Sequence, residues 1–526
     1  MPELSSADHG VSPPRVRIPR QYNAAWDLIQ RNLLAGRGNK PAFIDDAGSH
    51  TYGELAERVN RFGNVLTGLG MRQEERVMLC LLDSIDFPTA FLGSILAGIV
   101  PIAANTLLTA KDYDFMLGDS RARTLVVSEA LWPAFEGIVD KHPTLKNVIV
   151  AGKDGKGRLL MCDLMAKADA TFEPAETTCD DFCFWLYSSG STGAPKGTVH
   201  LHSHLIQTAE LYGVGVLGIR ENDLVFSAAK LFFAYGLGNG MTFPMAVGAT
   251  AILMGERPTP QAVFQRLRQH QPTIFYGVPT LYAGLLASPE MLKRGEIAPL
   301  RVCTSAGEAL PADIGKRWTE TLGVEILDGI GSTEMLHIFL SNRAGEVRYG
   351  TTGKPVPGYE VRLIGEDGNV VASGEIGELQ IKGPSAAALY WNNREKSRHT
   401  FMGDWTRSGD KYIEIEGGYY QYCGRSDDML KVSGIYVSPF EVEAALMTHP
   451  DILEAAVVAH ADTDELIKPK AYVVLKPGIA ASPQLTEALK LHVKEKLAPY
   501  KYPRWIEFVA ELPKTATGKI QRFKLR

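Results

Sequence analysis

Cysteine is scarce in this chain of 526 residues, which contains only six. Cys179 and Cys183 lie close together, but no pair of Cys-x-x-Cys motifs is present. The sequence therefore predicts neither a disulfide framework nor a zinc module. Such cysteine usage is typical of the reducing cytoplasm, where we expect the protein to work.

Long apolar segments and runs of one charge are also missing. The longest apolar run, Phe91 to Ala104, is too short for the ~20 residues of a membrane span and contains Pro101, so it predicts a buried helix leading into a strand. With 55 basic and 60 acidic residues and a formal charge of -5, the chain has no long basic stretch. Neither nucleic acid nor a membrane is an expected partner. Residues 1–20 lack an apolar core and are expected to be a frayed leader, not a secretory signal.

The length exceeds what one hydrophobic core usually serves, so several domains are expected. Helical patterns alternate with short apolar runs from Tyr22 to about Asp180 and again after residue 200, with a helix predicted at Pro260 to His270, which predicts two α/β halves. Short strands separated by Gly, Asp and Pro predict a small β subdomain between Gly350 and Gly424. The remaining residues, including a predicted helix at Pro439 to Met447, form a compact α+β pattern.

We therefore expect an α/β protein with a large N-terminal domain and a small C-terminal one. The N-terminal domain, residues 1–426, is predicted to contain two layered α/β subdomains and a small β-barrel-like subdomain. The C-terminal α+β domain is predicted to span residues 427–526.

Glycine and hydroxyl residues concentrate in one stretch, from Tyr187 to Gly197, with the sequence YSSGSTGAPKG. Glycines let backbone N–H groups approach an anion closely, and Lys196 supplies a positive charge, so the stretch predicts a cradle for a polyphosphate. It is not a Walker A motif, because Pro195 precedes the lysine and a strand is predicted to follow. By itself the stretch could equally be a mobile surface turn. The candidate phosphate ligands are Ser188, Ser189, Gly190, Ser191, Thr192, Gly193 and Lys196.

Four further segments carry candidate chemistry. Most of them, taken alone, are as compatible with a surface turn or a solvated charge. Asp328–Glu334 is more specific, because a threonine and a carboxylate beside glycines, as in Thr333 and Glu334, can hold a phosphate and a Mg²⁺ ion. In chain order the segments are Ser305–Ala309, Asp328–Glu334, Thr406–Asp410 with Gly424–Asp428, and Pro513–Ile520.

Together with the glycine-rich stretch, these segments resemble in order the motifs of the adenylate-forming superfamily, which includes acyl- and aryl-CoA ligases. The resemblance implies that Lys519, Thr333 and Glu334 are catalytic, and that Glu334 and Thr192 hold Mg²⁺. It implies a small domain that rotates about a hinge at Asp427. It also implies nucleotide or CoA contacts at Gly307, Glu308, Ala309, Asp328, Gly329, Ile330, Gly331, Thr333, Asp410, Arg425 and Gly434. Ile330 stands where the family usually has tyrosine, so adenine packing on that side must be aliphatic or come from elsewhere.

The segment from Lys230 to Gly238, with Gly331–Phe339 and Gly434–Ser438, is similar to benzoate-CoA ligases. This similarity implies ATP, Mg²⁺, CoA and an aryl carboxylate as ligands of a monomer or homodimer. From the residues alone, an aromatic run is more often core than a binding pocket. The residues proposed to contact the aryl acid are Phe233, Ala234, Tyr235, Gly331, His337 and Ile338.

The implied activity is formation of benzoyl-CoA from benzoate, ATP and CoA through benzoyl-AMP. A ligase for 4-hydroxy-, 3-hydroxy- or 2-aminobenzoate is an alternative, as is an enzyme that loads an aryl acid onto a carrier protein. His200, His202 and His204 have the spacing of one face of a strand. They are interpreted as structural, because no paired Cys, Asp or Glu accompanies them.

Overall fold

Two large sheets organise most of the chain in the computed structural model, which describes residues 2–190, 193–426, 428–432, 435–463, 466–498, 500–514 and 520–526. Both have parallel central strands, in agreement with the α/β layers that the alternating pattern predicted; the second has antiparallel strands at both edges, and the first at one edge only. The first has the order Leu389–Tyr390, Gly193–Leu201, Phe182–Gly190, Val100–Ala103, Arg76–Cys80, Thr124–Ser128, Asn147–Ala151, Leu159–Leu160. The second has the order Lys354–Pro355, Ile338–Ser341, Ile326–Gly331, Val302–Ser305, Ile274–Gly277, Leu224–Ser227, Thr250–Ile252, Pro41–Asp45, Gly48–Thr51.

The two sheets do not divide the chain into consecutive halves, which corrects the sequence prediction. Pro41–Asp45 pairs in parallel with Thr250–Ile252, so an early strand belongs to the second sheet. Phe43 is fully buried there, and a capping box between Thr51 and Glu54 starts the next helix immediately after the hairpin. The partner of this strand is more than 200 residues away along the chain, so the pairing could not be read from a local pattern.

Helices pack against the two sheets and bury their own apolar faces there. Phe91 to Ala104 forms the end of a buried helix and the strand Val100–Ala103, as predicted. No helix in the described part of the chain is long and apolar enough to cross a membrane. The α-helices are Ala24–Leu34, Tyr52–Gly68, Asp86–Leu96, Ala110–Ser120, Met161–Lys167, His202–Thr208, Ala234–Leu237, Phe243–Val247, Pro260–His270, Pro279–Ala287, Ala312–Leu322, Arg394–Thr400, Pro439–Met447 and Pro483–Lys496. The shorter 3₁₀ and π segments are Glu129–Ala134, Val139–Lys141, Ala209–Val214, Gly238–Thr242 and Arg522–Lys524.

The predicted β subdomain is an antiparallel sheet of five strands. These strands are Glu360–Ile364, Ile376–Lys382, Phe401–Met402, Trp405–Ile415 and Tyr419–Arg425. The C-terminal α+β unit has its own buried cluster, in which Val457 and Val473 of the sheet pack against Leu489 and Val493 of a helix. Its strands are Leu430–Val432, Ile435–Val437, Ile452–Ala461, Ile467–Leu475 and Trp505–Phe508. The domain boundary at residue 427 remains a prediction.

The N-terminal residues are not a frayed leader, contrary to the sequence expectation. Ser6–Asp8 and Arg15–Arg17 pair as an antiparallel hairpin. His9 Nε2 lies 2.8 Å from Glu210 Oε2. These contacts fix the segment to the domain, and they depend on a distant carboxylate that no local pattern identifies.

Candidate active site

The glycine-rich stretch is a β-hairpin whose strands run almost to its tip. Phe182–Gly190 pairs with Gly193–Leu201, with Ser188 opposite Lys196 and Gly190 opposite Gly193. Ser188, Ser189, Gly190, Gly193 and Lys196 therefore lie on paired strands rather than in a free loop. Of the predicted phosphate ligands, Ser191 and Thr192 lie outside the described residues.

Glu334 meets the hairpin, although it lies more than 130 residues further along the chain. Its Oε1 atom is 3.4 Å from Ser188 Oγ and 3.8 Å from Lys196 Nζ. The two charged side chains are each 16% exposed. Burial lowers the pKa of Lys196, while the nearby Glu334 opposes this shift. An ammonium, a hydroxyl and a carboxylate thus share one partly buried site, where charges interact more strongly than in water.

Thr333 is held from the side of the hairpin by His200. The ring Nε2 of His200 lies 2.8 Å from the Thr333 carbonyl oxygen, and its Nδ1 lies 3.0 Å from His204 Nδ1. Burial lowers the pKa of His200 to about 4, so the ring is neutral at ordinary pH. His200 thereby supports the main chain next to Glu334.

The three histidines do not share one face of a strand, contrary to the sequence expectation. The strand ends at Leu201, and His202 and His204 lie on the helix His202–Thr208. His202 Nδ1 accepts a hydrogen bond from the Ala24 N–H. All three rings are buried and bonded to protein groups, which agrees with the structural interpretation.

The main chain turns sharply after Glu334. Gly331 lies at a bulge between Ile326–Gly331 and Ile338–Ser341, and a Cβ there would be 2.5 Å from the His337 carbonyl oxygen. Leu336 has a φ of 65°, a left-handed conformation that strains a leucine by roughly 1–2 kcal/mol. The turn sends Thr333 and Glu334 to the phosphate hairpin, and His337 to a different, apolar region.

The predicted adenine segment follows the strand Val302–Ser305, as expected. Gly307 has a φ of 95° and is exposed, whereas Glu308 and Ala309 are half-buried. The carboxyl of Asp328, only 3% exposed, accepts a 3.4 Å hydrogen bond from the Leu310 N–H. Asp328 therefore ties its own strand to the segment that ends at Ala309. Gly329 and Ile330 lie beside it on the strand Ile326–Gly331.

Asp410 and Arg425 lie directly opposite each other on two paired strands. Arg425 Nη1 is 3.1 Å from Asp410 Oδ1 and donates to the Ser408 carbonyl oxygen at 3.0 Å. The positive charge of Arg425 also contributes to lowering the pKa of Lys196, after burial and Lys396. The structure thus brings the predicted ribose segment into the electrostatic neighbourhood of the phosphate hairpin.

The residues predicted to contact an aryl acid surround a largely apolar region. Phe233, Ala234 and Tyr235 are half-buried, whereas Ile338 is fully buried. Tyr235 is anchored by a 2.6 Å hydrogen bond between its hydroxyl and Thr304 Oγ1. Gly331, also predicted here, is half-buried at the start of the turn.

His337 is packed among the rings of Tyr212, Tyr235 and Phe243. Its Nε2 lies 3.2 Å from the Tyr235 carbonyl oxygen, which can only accept, so the proton is on Nε2 and Nδ1 is an acceptor. Within the described residues Nδ1 has no hydrogen-bond partner. Burial lowers the pKa of His337 to about 3, so the ring stays neutral.

The side chains of this site can be compared with those that usually bind Mg²⁺. Mg²⁺ is usually held by one or two carboxylates together with substrate phosphates, rather than by a cage of protein ligands. The described residues contain no group of three or more potential metal-binding side chains, and Glu334 offers a carboxylate beside the phosphate hairpin. The site therefore fits Mg²⁺ bound with a nucleotide. The other predicted metal ligand, Thr192, lies outside the described residues, as do Asp427, Gly434 and Lys519.

Tyr390 also belongs to this site, although it was not predicted from the sequence. Its hydroxyl donates a 2.7 Å hydrogen bond to Glu334 Oε1, and Lys196 Nζ lies 4.4 Å from the centre of its ring. The residue belongs to none of the recognised motifs. A tyrosine in a two-residue strand gives no local signal of this role.

The chain matches two models of one protein family. The family model "AMP-binding enzyme" matches residues 30–391, and the model of its C-terminal domain matches residues 441–519. A benzoate–CoA ligase of Thauera aromatica is 67% identical over 525 residues, covering 99% of each chain. A solved benzoate CoA ligase from Burkholderia xenovorans LB400 is 57% identical with a TM-score of 0.90, covering 96% of this chain and 100% of that one.

A solved anthranilate CoA ligase, AuaEII in complex with anthranoyl-AMP, is 45% identical with a TM-score of 0.92, covering 97% of each chain. These matches confirm the superfamily predicted from the motifs. The chain belongs to the AMP-binding enzyme family, the adenylate-forming enzymes.

Proposed function

We propose that this protein is a benzoate–CoA ligase that converts benzoate, ATP and CoA into benzoyl-CoA, AMP and pyrophosphate. The observation that carries the proposal is the turn at Leu336, which places Glu334 at the phosphate hairpin and His337 in the apolar region. The phosphate hairpin and the apolar region are therefore reached by residues only three positions apart in the chain. The benzoate–CoA ligases that are 67% and 57% identical support the choice of acid. We further propose that the enzyme is cytoplasmic.

In the first half-reaction, a carboxylate oxygen of benzoate attacks the α-phosphorus of ATP. The bond from that phosphorus to the bridging oxygen breaks, and pyrophosphate leaves with the electron pair. Ser188 and Lys196 bind the outer phosphates, and Asp410 binds the ribose hydroxyls. Glu334 would hold Mg²⁺, which when bound would neutralise part of the phosphate charge. Lys519 stabilises the charge that develops between carboxylate and phosphate.

In the second half-reaction, the sulfur of CoA attacks the benzoyl carbonyl carbon. The bond to the AMP oxygen breaks, and the thiol proton passes to solvent. Lys519 must leave the site and the region around Gly434 must approach it, so we propose that residues 427–526 rotate about Asp427.

The direct test supplies purified protein with ATP, Mg²⁺, CoA and a panel of aryl acids. AMP, pyrophosphate and acyl-CoA are quantified together by liquid chromatography and mass spectrometry. We expect benzoyl-CoA with the highest kcat/KM for benzoate. Aryl-AMP without aryl-CoA, together with transfer to a phosphopantetheine carrier, would instead identify a carrier-loading enzyme.

Enlarging Ala234 tests the position of the ring site. Ala234→Leu should reduce kcat/KM for benzoate by about 5- to 100-fold and abolish activity on para-substituted benzoates, because overpacking a filled site costs ~1–3 kcal/mol. The KM for ATP should not change. Ala283→Leu is the matched control. Ala283 is also partly buried, but it packs against a different buried cluster, which includes Leu281 and Leu285. Equal activity of Ala234→Leu on every acid would remove Ala234 from the pocket.

The free acceptor on His337 favours benzoates with a hydrogen-bond donor as additional substrates. Among hydroxy-, amino- and methylbenzoates of the same substitution pattern, we expect one ring position at which the donor-bearing acid exceeds the methyl isostere about 5- to 10-fold in kcat/KM. That position would face Nδ1. A methyl preference at all three positions would show that His337 only fills space.

A further inference from the structure

Tyr390 joins the two charged groups of the phosphate site. It lies on the edge strand Leu389–Tyr390 of the first sheet, where it pairs with Thr198, two residues after Lys196. Tyr390 is 3% exposed. The pairing brings a side chain from the far end of the N-terminal domain to the base of the hairpin.

The hydroxyl of Tyr390 lies between an ammonium and a carboxylate. It accepts a 3.4 Å hydrogen bond from Lys196 Nζ and donates one of 2.7 Å to Glu334 Oε1. Burial, together with the charge of Glu334, raises the pKa of Tyr390, so the hydroxyl remains a donor. The two charged side chains are themselves 3.8 Å apart.

The ring of Tyr390 is fixed independently of its hydroxyl. Lys196 Nζ lies 4.4 Å from the ring centre, a cation–π distance, and Phe401 packs 5.1 Å away on the same ring. The Tyr390 N–H donates to Ser397 Oγ at 3.0 Å. The hydroxyl and the ring can therefore be tested separately.

We propose that Tyr390 is a positioning residue that holds Lys196 and Glu334 at 3.8 Å, short of a direct hydrogen bond, and directed at the phosphates and metal of bound ATP. This inference rests on the proposed ATP site, but not on the identity of the aryl acid. Without the hydroxyl, the ammonium and the carboxylate would close from this 3.8 Å ion pair into a directly hydrogen-bonded one. That pair would compete with ATP for Lys196 and with Mg²⁺ for Glu334.

The test is Tyr390→Phe, which keeps the ring and removes the hydroxyl. We expect about 10-fold weaker binding of Mg²⁺-ATP by calorimetry, and a similar rise in the Mg²⁺ concentration needed for half-maximal adenylation. Thioester formation from supplied benzoyl-AMP should be unchanged, because the outer phosphates have already left. Tyr390→Leu, which also removes the cation–π contact, should weaken ATP binding further.

Tyr113→Phe is the matched control, since Tyr113 is buried and its hydroxyl donates to the Asn105 carbonyl oxygen, just after the strand Val100–Ala103. The melting temperature of Tyr113→Phe measures the loss of stability expected from removing a buried hydroxyl alone. Tyr390→Phe that binds Mg²⁺-ATP as the wild type does would overturn the inference, as would an equal loss in both half-reactions. Wild-type protein that binds ATP but makes no benzoyl-CoA would refute the proposed substrate and leave this test intact.

Discussion

Lys519→Ala is expected to slow benzoyl-AMP formation by about 10²- to 10³-fold, as removal of one preorganised electrostatic donor does in other enzymes. The lysine is proposed to stabilise charge that exists only while the carboxylate attacks the α-phosphorus. Thioester formation from supplied benzoyl-AMP and CoA should retain its wild-type rate, because that charge is not formed again. Pyrophosphate exchange and single-turnover thioester formation measure the two steps separately.

Lys514→Ala is the control for this substitution. Lys514 lies in the same terminal segment but forms an exposed ion pair with Glu454, so its loss should change neither half-reaction. Comparable losses in both steps for Lys519→Ala would contradict the proposal that each half-reaction uses its own orientation of the C-terminal domain.

Asp427→Pro is expected to separate the half-reactions in the opposite sense. A rotation at this position must be absorbed by a few backbone dihedrals, and proline fixes φ near −65° and removes an N–H. We expect the adenylating orientation to be retained, with near-normal pyrophosphate exchange in the presence of benzoate. Thioester formation from benzoyl-AMP should fall by about 100-fold, because CoA would meet a site that cannot rearrange.

Asp427→Ala provides the matched control, since it removes the carboxylate but leaves the backbone free. It should behave like the wild type in both assays. If Asp427→Pro keeps both rates, the hinge lies elsewhere. If both rates collapse, circular dichroism and the melting temperature distinguish misfolding from a trapped orientation.

Local features of the structure followed closely from the sequence. The helices Pro260–His270 and Pro439–Met447 have the predicted bounds, because each begins with proline at its first position and continues an apolar pattern. The strand that follows the lysine of the glycine-rich stretch was also predicted. Such features depend on neighbours within a few residues, so one sequence contains the necessary information.

Features that depend on distant partners were not predictable in the same way. Ser6–Asp8 and Arg15–Arg17 form a hairpin, and His9 next to it contacts Glu210. Pro41–Asp45 joins the second sheet. The three histidines were assigned to one strand because their spacing is regular, yet the chain changes from strand to helix at Leu201. A regular two-residue spacing of side chains does not show where a strand ends.

The sequence by itself determined the family and the residue types that suit a polyphosphate, because the order of glycines, hydroxyls and charges along the chain is enough to identify them. Only the tertiary structure decided which of these groups meet. Glu334 reaches Lys196 through a strained turn at Leu336, and Tyr390 joins them through pairing with the hairpin strand. The physical reason is that a buried charge needs a partner in space, and strand pairing supplies that partner from a remote part of the chain.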